Sequence, residues 1–432
     1  MVSVSIIHST ALNYIWLTKS NYLDSSSDTS IKHVVFGIAS SFRSWEKRKE
    51  YIRLWWKPEE MRGCVFVDKK LLQSEANFSL PPICVSEDTS RFPYSFRGGD
   101  RSAIRVARVL LETVNLNHSD VRWFVFGDDD TVFFAENLAK TLNKYDHDLW
   151  YYIGSISETF IQNDNDLSSF EMGYGGGGFA VSYSLAKVLA KVLDSCLHRY
   201  PHLYGSDARI YSCLGDLGVA LTHEVGFHQK TRHQAVEHLL KAATFDPNRI
   251  VQQSICYDKK FSRTISISWG HAVQVFESNV LVRDLLQVRK TFKLWRKREI
   301  PYSNLYMFNT REVDSDPCKR PTIFFLDSLS STTSITDDLV ITSTYKSNGF
   351  DNCVEKKDLT KKLEEIRVHS HKLDLNIKQM QARRRQCCEV LSSPDDKVLD
   401  IAIMECAEEE LAYMHPYKKS RRNLTSKVSR EN

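Results

Sequence analysis

One stretch of this chain can fold in few ways: Arg122-Trp123-Phe124-Val125-Phe126-Gly127-Asp128-Asp129-Asp130-Thr131 is an apolar run that ends in three carboxylates. The run reads as a buried strand. The aspartates cannot follow it inside, because burying unpaired charge is costly, so the strand must end where cations or hydrogen-bond donors wait.

The surrounding sequence says what kind of sheet holds that strand. A β-branched run, His33 to Ala39, reads as another buried strand, and a helical stretch from Trp45 to Trp56 follows it. Short apolar strands recur at Cys64 to Val67, Ile83 to Val85 and Trp150 to Ile153, separated by helix-period segments at Ser102 to Val114 and Ala135 to Tyr145. Strands alternating with helices predict an α/β domain with a mostly parallel central sheet. Ligands of such sheets sit beyond the carboxyl ends of the strands, which is where the three aspartates fall.

At 432 residues the chain exceeds one ordinary domain. The sequence divides into a polar, disordered lead over residues 1–30, an α/β domain over 31–327, a Ser/Thr-rich linker with a charged helical insertion over 328–385, and a Cys-containing segment and tail over 386–432. Strand character is expected from Ile265 to Val282 and a basic helix from Val288 to Arg298. A net charge of +4, from 58 basic and 54 acidic residues, is too small to argue for a nucleic-acid partner, and none is expected. Met1 to Leu17 is too interrupted by polar residues for a spanning helix or a signal peptide, so membrane association is expected only through an anchor outside this sequence. Ten cysteines without a C-x-x-C pair argue against zinc, and with N-x-S/T acceptors at Asn77, Asn117 and Asn423 they favour a secretory compartment.

Three further segments carry candidate chemistry. Four consecutive glycines, Gly175 to Gly178, allow close backbone approach to a diphosphate or sugar, although alone they suit a flexible loop equally well. In Tyr204-Gly205-Ser206-Asp207-Ala208-Arg209, Ser206 or Asp207 caps a helix running to Leu217. In Thr222 to Gln229 a short strand carries His223 and His228. Taken singly, a capping aspartate and a strand histidine are structural. The aspartates at 128–130 offer hard oxygen ligands suited to Mn²⁺ or Mg²⁺, yet an exposed acidic loop capping the helix near Ala135 explains them as well.

In order and spacing, these four segments resemble the Fringe and β-1,3-galactosyltransferase group, most closely its plant Fringe-like branch, over about His33 to Leu326. Cys387-Cys388 resembles that branch's C-terminal region. The resemblance implies a GT-A fold and an inverting, Mn²⁺-dependent transfer from a UDP-sugar to a hydroxyl of a glycan or glycoprotein, a β-1,3 linkage, and residence in the Golgi or another secretory compartment. It implies Asp130, Asp128 and His228 as metal ligands, and Asp128, Asp129, Gly176, Gly177 and Gly178 around the nucleotide sugar. Asp207 is implied as general base, with Glu171 and Tyr174 near the sugar. Where relatives carry a second Asp after the base, this chain has Ala208. Trp269-Gly270 resembles a further family motif, and a buried strand tryptophan explains it equally well.

Two other readings are weighed against this one. A degenerate transferase domain would bind a glycan or partner without turnover, and Ala208 is the feature in its favour. A metal-dependent hydrolase or glycosidase needs two separated carboxylates, which the cluster at 128–130 does not supply by itself. The acidic run Asp164-Asn165-Asp166 lacks the glycine that a calcium-binding loop needs.

Overall fold

The computed structural model describes residues 28–70, 79–157, 172–224, 226–227, 233–258, 260–286, 288–289, 310–311, 314–333, 339–347, 363–381, 384–393 and 395–406. Seven strands build the first sheet: β1 (Val34–Ala39), β2 (Arg62–Val67), β3 (Ile83–Val85), β4 (Trp123–Asp128), β5 (Tyr152–Gly154), β6 (Phe179–Ser182) and β7 (Leu221–His223). Their order is β3-β2-β1-β4-β6-β5-β7, and β6 alone runs against the others. The α/β class and the mostly parallel central sheet expected from sequence are what the chain adopts.

Both faces of this sheet are covered, which is why β1 and β4 are apolar at nearly every position. Val35, Ala39, Phe124 and Phe126 pack on α2 (Ser102–Val114), α4 (Tyr183–Arg199) and α5 (Ser206–Asp216). The alternate residues Val34, Phe36, Ile38, Trp123 and Val125 pack on α1 (Phe42–Arg53) and α3 (Ala135–Leu142). Helix α1 begins at Ser41, whose hydroxyl accepts the Ser44 N–H at 3.1 Å, a serine cap that satisfies one of the orphan donors of the first turn. Ala39 and Asp128 are register partners, so β1 and β4 end side by side.

After α6 (His233–Phe245) the chain builds a second sheet from β8 (Gln253–Asp258), β9 (Arg263–Ser268), β10 (Ala272–Phe276), β13 (Thr322–Thr333), β14 (Leu339–Ser347), β15 (Glu365–His371), β16 (Cys387–Val390) and β17 (Val398–Met404). Between β10 and β13, Val288–Arg289 (β11) and Thr310–Arg311 (β12) form a separate two-stranded pair. The order of the large sheet is β16-β17-β15-β14-β13-β10-β9-β8, and its outermost strands β8 and β16 are tied by the Cys256–Cys388 disulfide. The sheet therefore curls and closes on itself around Ile265, Val273, Phe324, Tyr345, Val368 and Ile401, all fully buried. Trp269 is also fully buried in this core, the structural role open to it from the sequence.

Several expectations are corrected here. The Ser/Thr-rich residues up to Ser347, expected as a linker, form β13 and β14, and the expected boundary at residue 327 falls inside β13. In the expected charged helix, residues 365–371 are a strand. The reason is a period of two: Ile341, Ser343 and Tyr345, then Ile366, Val368 and Ser370, point inward while Thr, Lys, Arg and His side chains take the outer face. Threonine is a good strand former on such a half-buried surface. Val288 and Arg289 are strand rather than helix. The strand expected over 265–282 is two, β9 and β10. Thr29, placed in the disordered lead, is buried, and its N–H donates to Asn143 Oδ1 at 2.8 Å.

Among the described residues four disulfides close: Cys64–Cys84, Cys196–Cys213, Cys256–Cys388 and Cys387–Cys406. The adjacent Cys387 and Cys388 thus bond to two different partners. Asp246 and Arg249 form a buried ion pair at 3.1 Å, and Arg249 also donates to the His371 carbonyl at 2.7 Å. Next to them Asn137 of α3 donates to the Pro247 carbonyl at 2.7 Å. This segment joins the first sheet's helical layer to the second sheet.

Candidate functional site

Strand β4 delivers its three aspartates into unlike surroundings. Asp129 turns inward and is 2% exposed. Its Oδ2 accepts from the Ser40 and Ser44 hydroxyls at 2.7 Å each, and its Oδ1 accepts from Arg48 Nη1 at 2.8 Å. Asp130 turns outward, its side chain 43% exposed and 3.2 Å from the same Arg48 nitrogen. Asp128 lines a cavity between the sheet face (Gly37, Phe126) and helices α2 and α5 (Val106, Leu110, Ile210), and its N–H donates to Thr131 Oγ1 at 2.8 Å.

The second carboxylate of that pocket is Asp207, in the first turn of α5. Its Oδ2 accepts the Gly175 N–H and its Oδ1 the Ser206 hydroxyl, both at 3.0 Å. Gly175–Gly177 form a 3₁₀ turn pressed against this carboxylate: a Cβ on Gly175 would lie 2.5 Å from Asp207 Oδ1. Gly178 has φ +80°, and a Cβ there would lie 2.7 Å from the Phe133 ring. Thr131 Oγ1 donates to the Gly176 carbonyl at 3.2 Å, so the glycine turn and the aspartate turn brace each other. The glycines are packed against the acids, not a loose loop.

Burial pushes the Asp128 carboxyl up to about 7, helped by the charges of Asp207, Asp130 and Asp129 and opposed by Arg48. Burial raises Asp207 as well, against the Gly175 and Ser206 bonds that favour its ionised form. It raises Asp130 too, with Arg48 opposing, but solvent reaches that side chain more freely. Crowded, partly desolvated carboxylates with hard oxygen atoms are a donor set that fits a divalent cation.

Asp128 and Asp130 do not complete such a set alone. His228, the expected third ligand, lies outside the described residues, as do Glu171 and the run 164–166. Among the described residues, the group of three acidic and histidine side chains with ligand atoms within 4.8 Å of one another is Asp146, His147 and Asp148, on a surface turn away from this pocket. Asp129, expected near the nucleotide, is instead held by Ser40, Ser44 and Arg48. Tyr174 donates its N–H to the Ser155 carbonyl at 2.8 Å, which fixes the start of the glycine turn. Ala208 is buried and packs with Met172 and Leu203, so the position where relatives carry a second Asp is apolar in this chain.

Ser40, Ser44 and Arg48 were missed from the sequence, because their bonds to Asp129 span 81 to 89 residues. A signal was present in part: a serine-capped helix with a basic residue two turns in, directly after a buried strand. Ser40 is also tied into the sheet ends, its N–H donating to the Phe66 carbonyl at 2.9 Å and its carbonyl accepting from Arg105 Nη2 at 2.6 Å. At the far edge Glu224 follows β7; it is buried, accepts from Tyr145 OH at 2.5 Å and pairs with Lys144.

The family described as "Protein of unknown function, DUF604" matches residues 164–231 and 229–388. No curated protein matches the chain. Among solved structures, the apo form of mouse xyloside xylosyltransferase 1 is similar at 7% identity and a TM-score of 0.28, covering 44% of this chain and 84% of that one. The mannosyltransferase PcManGT from Pyrobaculum calidifontis, in complex with GDP-Man and Mn²⁺, is similar at 14% identity and a TM-score of 0.25, covering 50% and 63%. TM-scores this low leave both likenesses without weight for fold or function here.

Proposed function

This chain belongs to the DUF604 family, and from that premise we propose that it is a GT-A-type, inverting glycosyltransferase of the Fringe-like kind. It would move a sugar from a UDP-sugar to a hydroxyl of a glycan or glycoprotein, through a β-1,3 linkage. The observation that carries the reading is that Asp128, the last residue of β4, and Asp207, in the first turn of α5, line one cavity with the glycine turn between them. The sheet order, with its single reversed strand, supports the same assignment.

Asp207 acts as the general base. Its carboxylate accepts from the Gly175 N–H, the Ser206 hydroxyl and its own N–H, which leaves lone-pair capacity on the two oxygens, so the group stays fixed and can still take a proton. As the acceptor oxygen bonds to the anomeric carbon, its proton passes to Asp207, and the bond from that carbon to the diphosphate oxygen breaks with the electron pair leaving on UDP. One displacement with one base inverts the configuration. Asp128 and Asp130, with His228, would hold Mn²⁺ or Mg²⁺, which supplies Lewis-acid neutralisation of the leaving diphosphate. The glycine turn at 175–178 lets backbone approach the sugar with no side chain in the way. Four disulfides support an oxidising, secretory compartment such as the Golgi. Among the described residues no helix is long and apolar enough to cross a membrane.

The test is purified protein with Mn²⁺ and a panel of UDP-galactose, UDP-N-acetylglucosamine and UDP-glucose, read as released UDP. Asp207→Asn should abolish release and transfer while UDP and Mn²⁺ binding stay nearly intact. Transfer near the wild-type rate by that variant would remove Asp207 from the role. No UDP release from any donor, with UDP still bound, would favour the degenerate, glycan- or partner-binding domain.

A further inference from the structure

Arg48 has no role in the chemistry above, yet it reaches two of the three aspartates that end β4. Its Nη1 lies 2.8 Å from Asp129 Oδ1 and 3.2 Å from Asp130 Oδ2, so one nitrogen bridges the inward carboxylate and the outward one. Asp129 is the fixed end of this bridge, since Ser40 and Ser44 hold it from the other side. The Arg48 side chain is 44% exposed, so solvent reaches it while Asp129 holds its Nη1. We propose that Arg48 occupies the cation's place beside Asp130 and makes metal uptake depend on a nucleoside diphosphate. This inference rests on the glycosyltransferase reading.

The physical reason is a contest of charges. A divalent cation arriving alone must draw Asp130 from Arg48 and then sits close to a guanidinium that Asp129 prevents from leaving. With a diphosphate present, the phosphate oxygens accept from the planar N–H fork of Arg48 while neutralising the cation. The repulsion becomes two attractions to one anion. Cation and diphosphate therefore tighten each other's binding, equally in both directions, as any coupling between two ligands must.

Free Mn²⁺ measured by electron paramagnetic resonance gives the affinity for Mn²⁺ alone and with saturating UDP, with no turnover involved. In the wild type UDP should tighten Mn²⁺ binding by about 10-fold or more. In Arg48→Met, Mn²⁺ alone should bind several-fold tighter and the tightening by UDP should shrink below about 3-fold. Asp129 keeps both serine donors in that variant, and near-ultraviolet circular dichroism checks its fold. Arg48→Lys keeps the charge without the fork; its coupling should fall between the two, and it carries the test if the methionine variant does not fold. Wild-type coupling in these variants, or Mn²⁺ alone bound no more tightly by Arg48→Met, overturns the inference. A wild-type protein that binds neither Mn²⁺ nor UDP overturns the glycosyltransferase reading and this inference together.

Discussion

Gly175→Ala puts one methyl group where the proposed base stands. The new Cβ would sit 2.5 Å from Asp207 Oδ1 and 3.1 Å from its Cγ, whereas ordinary contact begins at 3.4 Å. Relief requires 3.4 − 2.5 = 0.9 Å of movement, and the carboxylate is the movable partner because the glycine turn is braced by Thr131. The same movement lengthens the 3.0 Å bond from the Gly175 N–H, so the base loses its place and one of its donors. A misplacement near 1 Å at a reacting group costs about 100-fold in rate. The stability cost should be near the lower end of the overpacking range, about 1 kcal/mol, because the carboxylate can move into the pocket it lines. The assay is kcat for UDP release and for transfer, beside UDP–Mn²⁺ affinity and the melting temperature. Gly205→Ala is the control, its Cβ lying 3.9 Å from the Asp207 nitrogen in ordinary contact. A Gly175→Ala enzyme with kcat within about 3-fold of wild type would refute the close-approach argument. So would a loss in kcat matched by an equal loss of nucleotide affinity.

The general base works only when ionised, and burial holds Asp207 above the usual carboxylate range, so transfer should fail on the acid side at a higher pH than an exposed aspartate would allow; a pH–rate profile against Asp207→Glu checks this. Asp128 is raised in the folded state to about 7 from an unfolded value of 3.8, so the fold binds its proton more tightly than the unfolded chain does. Its contribution to stability is complete below 3.8 and is lost as pH rises towards about 7, so metal-free melting temperature should fall across that window, and by less in Asp128→Asn. Replacing Cys256 and Cys388 together by serine opens a loop of 132 residues, worth about 5 kcal/mol of unfolded-state entropy, and should show as a lower denaturation midpoint with the Asp128–Asp207 pocket still binding UDP. Asp129→Asn keeps the shape but removes the charge that anchors Arg48; it should weaken the coupling between UDP and Mn²⁺ as Arg48→Met does, and unchanged coupling would show that Asp129 anchors nothing.

What the sequence made legible, and what it did not, follows from the range of the contacts. Strands β1 to β5 were visible because a sheet covered on both faces demands unbroken apolar runs, a local signal. The end of β4 was visible because three charges after such a run admit few explanations. Strands β13 to β15 were misread for the converse reason: only one of their faces is packed, so they alternate, and the outward Ser, Thr, Lys and Arg resemble loop or helix composition unless Phe324, Leu326, Ile341 and Tyr345 are read at a period of two. The second sheet's closure, through Cys256 and Cys388, links residues too far apart for spacing to suggest.

The middle aspartate shows where reading residues by type reaches its end. Alternation along β4 sends Asp128 to the α2 and α5 face of the sheet, and the turn that follows carries Asp129 to the opposite side. At β4 that direction leads under α1, where an unpaired carboxylate would be costly, and Ser40, Ser44 and Arg48 meet it there. Asp129 is thereby held by three protein donors, while Asp128 lines the cavity and Asp130 faces solvent. The division also explains why the cluster tolerates its own repulsion: one charge is neutralised internally, and the same arginine reaches the exposed one. An acidic triplet at a strand end is in this chain two candidate ligands and one anchor, and the anchor determines where Arg48 stands.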